Sequence, residues 1–555
     1  MTKVGETLRL LKDRGFVPIA ARVGQRSFQG QLPCQKGPVR VQITIEDWNF
    51  LEYPTIHLEE RASFLPTLMP HVDVLGNLCY FAHGSITLDR YDPATAIAQC
   101  LNQATALLDR ISMDPGYRDT DIQNEFLAHW EYGQTTLPWE VLLGDIAPGE
   151  KSTNFFIIKL DSKEHALIAT DAYEADRLAK TLGAKEIVRG NRCWLLHSKV
   201  LPAVPEKMPK TVKELFIWLA QWDKDLASGL QQLLATPDYL RSKFFFCAVE
   251  TPIGWLGFGF DLVQPQRQIY KNKPKHYRNY LHNKGGGQLL SRLSINEVGS
   301  RFVHSRNLTF PDLHNKRITV VGCGAVGSFV AQSLIRLGAG TGNLGLLKLI
   351  DPDILNSGNL GRHVLGYPSL LRQKSIALTE ELVRLFPHSR VEAVTSSVVN
   401  HKALFAAELI VDATGEETVS EFLNGLRLQR ASRVPILHVW VRGNGEAVQA
   451  LWADLDGSGC YRCLLVPDET YHRKERFRLL KTKPARHQIG CHAATPYAVS
   501  APMHAAALAT DMVCAWLQGS PSPRFRTRCV ETADLFSVKN QDISKMNGCP
   551  ACGHL

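Results

Sequence analysis

Apolar and polar positions alternate with period two along Val39-Arg-Val-Gln-Ile-Thr-Ile, the pattern of a strand with one buried face. Tyr53-Pro54 interrupts the sheet pattern, and Ala94 to Leu108 carries apolar residues at helical spacing. Residues 1–115 therefore read as a small α/β domain. Between 116 and 262 the signals are mixed. Phe155-Phe-Ile-Ile-Lys-Leu and Phe244-Phe-Phe-Cys-Ala-Val read as strands, and Val212 to Leu234 as helix. This middle region has no motif that carries chemistry, and reads as a spacer or an inactive partner domain. Residues 263–290 are basic and polar and end in Gly285-Gly-Gly, which predicts a linker. From 291 to 555 strand and helix patterns alternate, beginning with Arg317-Ile-Thr-Val-Val. That alternation predicts an α/β domain built on a parallel, doubly wound sheet.

The length of 555 residues favours three or four such domains. No run of 18 apolar residues occurs, so no membrane span is expected. The N-terminus, Met-Thr-Lys-Val-Gly-Glu-Thr, lacks the apolar segment of a signal peptide, and a cytoplasmic location is expected. In that compartment the 13 cysteines read as free thiols, metal ligands or catalytic groups. Part of the net charge of +9 is local. Gln264 to Lys284 and Arg473 to Arg486 are basic runs. A solvated linker or mobile active-site loop explains them better than nucleic-acid binding, because neither sits in a recognisable nucleic-acid module.

Chemistry enters with four cysteines. Cys460-Tyr-Arg-Cys463 and Cys549-Pro-Ala-Cys552 are both C-x-x-C turns, each holding two thiolates at the spacing of two corners of a tetrahedron. Together they predict a closed structural Zn²⁺ site that clips residues 549–552 onto the body of the domain. Upstream, Ile318-Thr-Val-Val leads into Gly322-Cys-Gly324-Ala-Val-Gly327 and then an apolar helix from Ser328 to Leu337. This is G-x-G-x-x-G in a strand–turn–helix context, where backbone amides at a helix start face phosphates. The next strand, Leu346 to Ile350, ends at Asp351, placed for a ribose. Alone this would suit NAD or FAD. Arg362 and Lys374 beyond it suit a triphosphate better, because they can neutralise charge on an α-phosphate and a departing pyrophosphate. Cys491, in Gly490-Cys-His-Ala-Ala-Thr-Pro-Tyr, lies between the two cysteine pairs and outside both. Near a helix start and cationic residues it has the setting of an activated thiol, although a small core residue is the plainer reading.

These residues carry a resemblance. Gly322-x-Gly324-x-x-Gly327, Asp351, Asn359, Arg362, Lys374 and the two C-x-x-C pairs resemble the ThiF-type adenylyltransferases, the superfamily of ubiquitin-activating enzymes and sulfur-carrier activators. The resemblance covers about 250 residues. It implies a Rossmann-like domain that adenylates a protein's C-terminus with Mg-ATP. Asp351 would hold the ribose, Asn359, Arg362 and Lys374 the phosphates, and the paired cysteines Zn²⁺. It also implies that Cys491 takes the acyl group as a thioester, that the basic stretch before it is a crossover loop, and that the domain forms a homodimer, with Arg301 or Arg306 as candidates to reach across. One departure stands out. The family's D-x-x-D, whose second Asp helps hold Mg²⁺, is here Asp412-Ala-Thr-Gly415, with Glu416 or Asp353 as possible substitutes. The usual Arg-Gln pair is Arg362-His363.

The N-terminal region resembles ubiquitin-conjugating enzymes over about 80 residues, an α+β fold. Tyr53-Pro54, Met69-Pro70-His71, Gly76-Asn-Leu-Cys79 and Tyr91-Asp-Pro93 follow that family's order of motifs. Cys79 would be the acceptor thiol. His71 takes the place of the Asn that normally supports the oxyanion and the loop. A fusion in this order resembles the activating–conjugating proteins of bacterial CBASS anti-phage operons. Its implied partners are a protein with a flexible C-terminal tail, either a cyclic-oligonucleotide synthase or a ubiquitin-like protein, and a target amine. A sulfur-carrier activator of cofactor biosynthesis would not need Cys79. A non-catalytic adaptor would not need Arg362, Lys374 and Cys491.

Overall fold

The computed structural model describes residues 3–73, 75–131, 140–401, 403–455, 458–466, 474–489, 492–531 and 533–553. These divide into two compact units, 1–176 with 184–297, and 177–183 with 298–555.

After the helix Lys3–Asp13, the first unit forms a four-stranded antiparallel meander in sequence order, Val17–Ile19, Arg26–Cys34, Gly37–Ile45 and Thr55–Leu58. The alternation seen at Val39 is real. Val39, Val41, Ile43 and Ile45 are at most 1% exposed, while their neighbours face outward. The helix Pro93–Met113 packs Ile97, Cys100, Leu101, Ala104 and Leu108 into the same core. Its start is set by Asp92, whose carboxylate accepts from the Thr95 amide, with Pro93 in the first turn.

The middle region is folded. Seven strands close into a barrel in the order Gly254–Asp261, Ser291–Glu297, Val141–Leu143, Lys163–Ala169, Ser152–Leu160, Glu186–His197 and Phe244–Thr251. The helix read over Val212 to Leu234 is two helices, Val212–Trp222 and Lys224–Leu233. Asp223 ends the first and caps the second, accepting from the Asp225 and Leu226 amides.

The expected linker over 263–290 folds. It forms the helix Pro274–His282, with Tyr277 and Leu281 fully buried in a cluster that includes Leu215, Leu219 and Tyr239. The basic character of the whole stretch masked an i, i+4 apolar pair. The expected domain boundary at 291 shifts as well, because Ser291–Glu297 closes the barrel, antiparallel to Gly254–Asp261 and parallel to Val141–Leu143.

The second unit contains a seven-stranded sheet in the order Val391–Val394, Leu346–Ile350, Arg317–Val321, Leu409–Asp412, Ile436–Arg442, Ala447–Ala453 and Phe525–Cys529. The first five strands are parallel and the last two join antiparallel, so the sheet is mixed. The order of the parallel strands reverses between Arg317–Val321 and Leu409–Asp412. A crevice forms at the carboxyl ends of strands where such a sheet changes direction. The helices Ala325–Arg336 and Ser500–Leu517 pack against each other, with Val330, Leu334, Ala505, Ala509 and Met512 in the shared core. Among the described residues no helix is long and apolar enough to cross a membrane.

Candidate functional site

A cavity of about 720 Å³ opens at the switch point of the second unit. Five of the residues expected at a nucleotide line it: Gly322, Gly324, Asp351, Arg362 and Lys374. The turn is built for close approach. Gly322 has φ +86°, and a Cβ there would lie 2.9 Å from Thr414. A Cβ on Gly327 would lie 1.8 Å from the Gly322 carbonyl oxygen, so this glycine is required by helix-to-turn packing and stands behind the cavity wall.

Asp351 is 5% exposed, and its two oxygens accept from the Cys323 and Asp353 amides at 2.6 and 2.8 Å. Burial pushes its carboxyl up, against those hydrogen bonds and the charge of Lys374. Lys374 begins the helix Lys374–Leu385 and donates from Nζ to Asp353 at 2.8 Å. His363 holds the glycine turn from behind. The Leu365 amide donates to its Nδ1, so Nε2 carries the proton and donates to the Cys323 carbonyl at 2.7 Å. Burial pushes its pKa down, which keeps this ring neutral.

Besides Gly327, two expected residues do not reach the cavity lining. Asn359 serves its own turn, where its Oδ1 accepts from the Asn356 amide at 3.0 Å. Asp412 is 1% exposed and turned into the protein. Its carboxylate accepts from His438 Nδ1 at 2.8 Å, from Ser420 Oγ, and from the Thr414 hydroxyl at 2.7 Å. Burial raises its pKa, but His438 and the two hydroxyls outweigh that and hold it low. Asp412 therefore braces the Thr414–Glu416 turn and does not line the cavity. Gly415, at φ +67°, offers no carboxylate, while Asp353 and Glu416 line the cavity. Residues that the motifs did not single out also line it, among them Arg442, Arg486 and Tyr497. Arg362 lies over the Tyr497 ring, 4.7 Å from its centroid. Arg486 was legible as part of a basic run and Tyr497 as the end of the Cys491 motif. His438 had no sequence signal, being one buried histidine in an apolar strand. Cys491 itself lies outside the described residues.

The four paired cysteines converge. All are buried, and their sulfurs lie within 4.8 Å of one another. Cys460 Sγ is 3.9 Å from both Cys463 and Cys549, and Cys463 is 3.5 Å from Cys552. A tetrahedron with Zn–S bonds of ~2.3 Å has edges of about 3.8 Å, so this cage fits the ion. The Met546 amide donates to Cys463 Sγ at 3.3 Å, which favours a thiolate there.

In the first unit Cys79 is exposed at the end of a tight hairpin, and its amide donates to the His71 carbonyl at 2.8 Å. Asp73 pins the turn between them, accepting from the Leu75 and Asn77 amides at 2.8 Å each. Tyr53, of the Tyr-Pro pair, donates to the Ile86 carbonyl at 2.7 Å and packs edge-on against Phe81. His71 was expected to donate to an oxyanion, but both its ring nitrogens are engaged elsewhere. Nε2 lies 3.0 Å from Asp121 and Nδ1 2.7 Å from Glu125. The Glu125 hydrogen bond leads in pushing the imidazole pKa up, so the ring is held as imidazolium and bonds both carboxylates. Its φ of +58° is left-handed, and this clasp holds it there. Asp121 and Glu125 carry no motif, and only the helix Pro115–Asn124 brings them to the loop. Burial, then the charges of Asp73 and Glu125, push the Cys79 thiol up.

Residues 301–551 match the model of the ThiF family, and residues 21–136 match that of prokaryotic E2 family B. The chain therefore joins a ThiF domain to an E2-type domain. Along nearly its whole length it is similar to the ATP-dependent ubiquitin transferase-like protein Cap2 of Pseudomonas aeruginosa, at 28% identity over 99% of this chain and 98% of that one. The protein of the same name from Escherichia coli is 24% identical over 93% of this chain and 91% of its own. Among solved structures, a crystal structure of E. coli MccB with MccA-N7isoASN aligns with a TM-score of 0.34 at 19% identity, covering 51% of this chain and 74% of that one.

Proposed function

We propose that this chain activates a protein's C-terminus with ATP and conjugates it to an amine through two thioesters in series, in CBASS-type anti-phage defence. The observation that supports this most is the pairing, in one polypeptide, of a cationic cavity at a glycine turn with an exposed cysteine on a braced hairpin. ATP would lie in the 720 Å³ cavity, with its phosphates over Gly322 and Gly324 and beside Arg362 and Lys374. Asp353 and Glu416 are the carboxylates that would meet the accompanying Mg²⁺. The tail carboxylate attacks the α-phosphorus and pyrophosphate leaves. Arg362 and Lys374 offset the charge that develops there. The Cys491 thiolate attacks the acyl carbon and AMP leaves. The Cys79 thiolate then takes the acyl group, Cys491 leaves as thiolate, and a target amine finally displaces Cys79. The substrate tail would belong to a cyclic-oligonucleotide synthase. A homodimer through the ThiF domain, with Arg301 or Arg306 reaching the partner, belongs to the same proposal.

The relay is tested with ATP and the tail-bearing protein on non-reducing gels. Cys79→Ala is expected to keep a reductant-sensitive adduct and to make no amide-linked conjugate. Cys491→Ala is expected to show no adduct at either cysteine while retaining pyrophosphate exchange. Normal conjugation by Cys79→Ala would overturn the assignment of the E2-type domain.

A further inference from the structure

A second cavity, of about 500 Å³, lies inside the first unit, between the E2-type core and the barrel. One wall is the 67–76 stretch that carries His71 and leads to the Cys79 hairpin. The others are the end of the strand Thr55–Leu58, the helix Phe126–Glu131, residues 207–210 and the barrel strand Ser291–Glu297. Its polar lining is strongly one-sided. Arg61, His129, Lys207, Lys210 and Arg292 face it, against Asp73. That carboxylate is already committed to its own turn, accepting from the Leu75 and Asn77 amides and from Asn77 Nδ2, each at 2.8 Å. Glu125 reaches His129 at 3.8 Å from the side of His71. The rest of the lining is apolar, with Leu58, Leu68, Met69 and Met208.

Arg292 is 3% exposed and stands 5.7 Å from the centre of the Trp130 ring. Burial pushes this guanidinium down to about 10. Four permanent cations around one small space match a dianion better than a single carboxylate. Two of them are guanidiniums, whose fork fits phosphate oxygens. The apolar remainder calls for an apolar or aromatic body, and the volume is that of a small-molecule site. It is too small for a nucleic-acid duplex.

We propose that this cavity binds a small organic phosphate, a phosphate monoester on an apolar or aromatic body. Its anionic end meets Arg292, Arg61, Lys207 and Lys210, and its body meets Leu68, Met69 and Met208. The ligand would touch the stretch that supports the Cys79 hairpin, which makes the site a point of control over that cysteine. The binding claim does not depend on the reaction proposed above.

The test uses the full chain and 1-naphthyl phosphate, with binding followed by titration calorimetry. One equivalent is expected to bind, and 1-naphthalenemethanol, which lacks the phosphate, is expected not to. The double variant Lys207→Ala/Lys210→Ala changes two exposed side chains and keeps the backbone, and is expected to weaken binding about tenfold or more, the scale for losing charge-assisted bonds. Arg292→Met is expected to weaken it further. Lys374→Ala, in the ThiF cavity, is expected to leave it unchanged. No binding at millimolar concentration, binding that survives the double lysine variant, or binding lost in Lys374→Ala would each overturn the proposal.

Discussion

At the scale of single residues, the Cys79 hairpin and the ThiF cavity are tuned by opposite means. At Cys79 the hairpin is held by charge. His71 is raised in pKa by its bond to Glu125, so the clasp is at full strength below the ordinary imidazole value of 6.5 and fades as pH rises through the raised value. Burial draws Glu125 up, yet the bonds from His71 bring it below 4.5 overall, so the clasp also fades as pH falls through that lowered value. Protection of the Cys79 amide, its exchange rate measured against the intrinsic rate at each pH, should be greatest between those limits and lower on either side. His71→Ala should remove that pH dependence of protection. Because its thiol is raised, Cys79 should react with iodoacetamide more slowly than a free thiol at pH 7, and its rate should keep climbing above pH 9. At the ThiF cavity the tuning is by placement of cations. Arg362→Ala should lower tail-dependent pyrophosphate exchange by roughly 10²-fold, the scale for one preorganised donor. The Cys79 hairpin, the glycine turn and the convergence of the four paired cysteines were legible because short motifs mark them. The His71 clasp and the Asp412–His438 brace were not. Asp121 and Glu125 lie 50 and 54 positions from His71 and meet it only by tertiary folding. Asp412 fits its motif while its carboxylate faces away from the cavity.

At the scale of elements, periodicity served well where one face of an element is buried and failed where charge or closure decides. The strand at Val39 and the helix after Asp92 follow their patterns. The helix Pro274–His282 was hidden because its polar face is so basic that composition outweighs the Tyr277 and Leu281 pair. The barrel was hidden for a different reason. Its closing strand, Ser291–Glu297, pairs with Val141–Leu143 about 150 positions earlier, a partnership no local pattern encodes. Two substitutions separate these readings. Tyr277→Ala should cost about 3–5 kcal/mol as a large buried side chain, whereas in a solvated linker it would cost nothing measurable. Gly327→Ala should destabilise the ThiF domain by about 1–3 kcal/mol or more, because the added methyl meets a backbone oxygen that cannot move aside. Thermal melts with and without nucleotide would read both.

At the scale of the whole molecule, the cysteine cage is more than a fastening at one end of the chain. Purified protein should carry one Zn²⁺ in this cage, and Cys549→Ser should lose it. A bound ion would join positions 89 residues apart, Cys460 to Cys549 and Cys463 to Cys552, and everything between them would become a ring closed through metal. Leu480, Pro484, Arg486, Thr495 and Tyr497 all line the cavity proposed for ATP, and all lie within that segment. Two binding events that bear on one closed segment of chain are thermodynamically linked, and linkage is reciprocal. If the metal, by shortening the ring's freedom, tightens nucleotide binding by some factor, nucleotide must tighten metal binding by the same factor. Equilibrium competition against a chelator, with and without a non-hydrolysable ATP analogue, would measure that factor from one side, and nucleotide titration of the metal-stripped chain from the other. A protein that has lost its zinc would then idle for want of ATP, although every residue that touches the nucleotide is still in place.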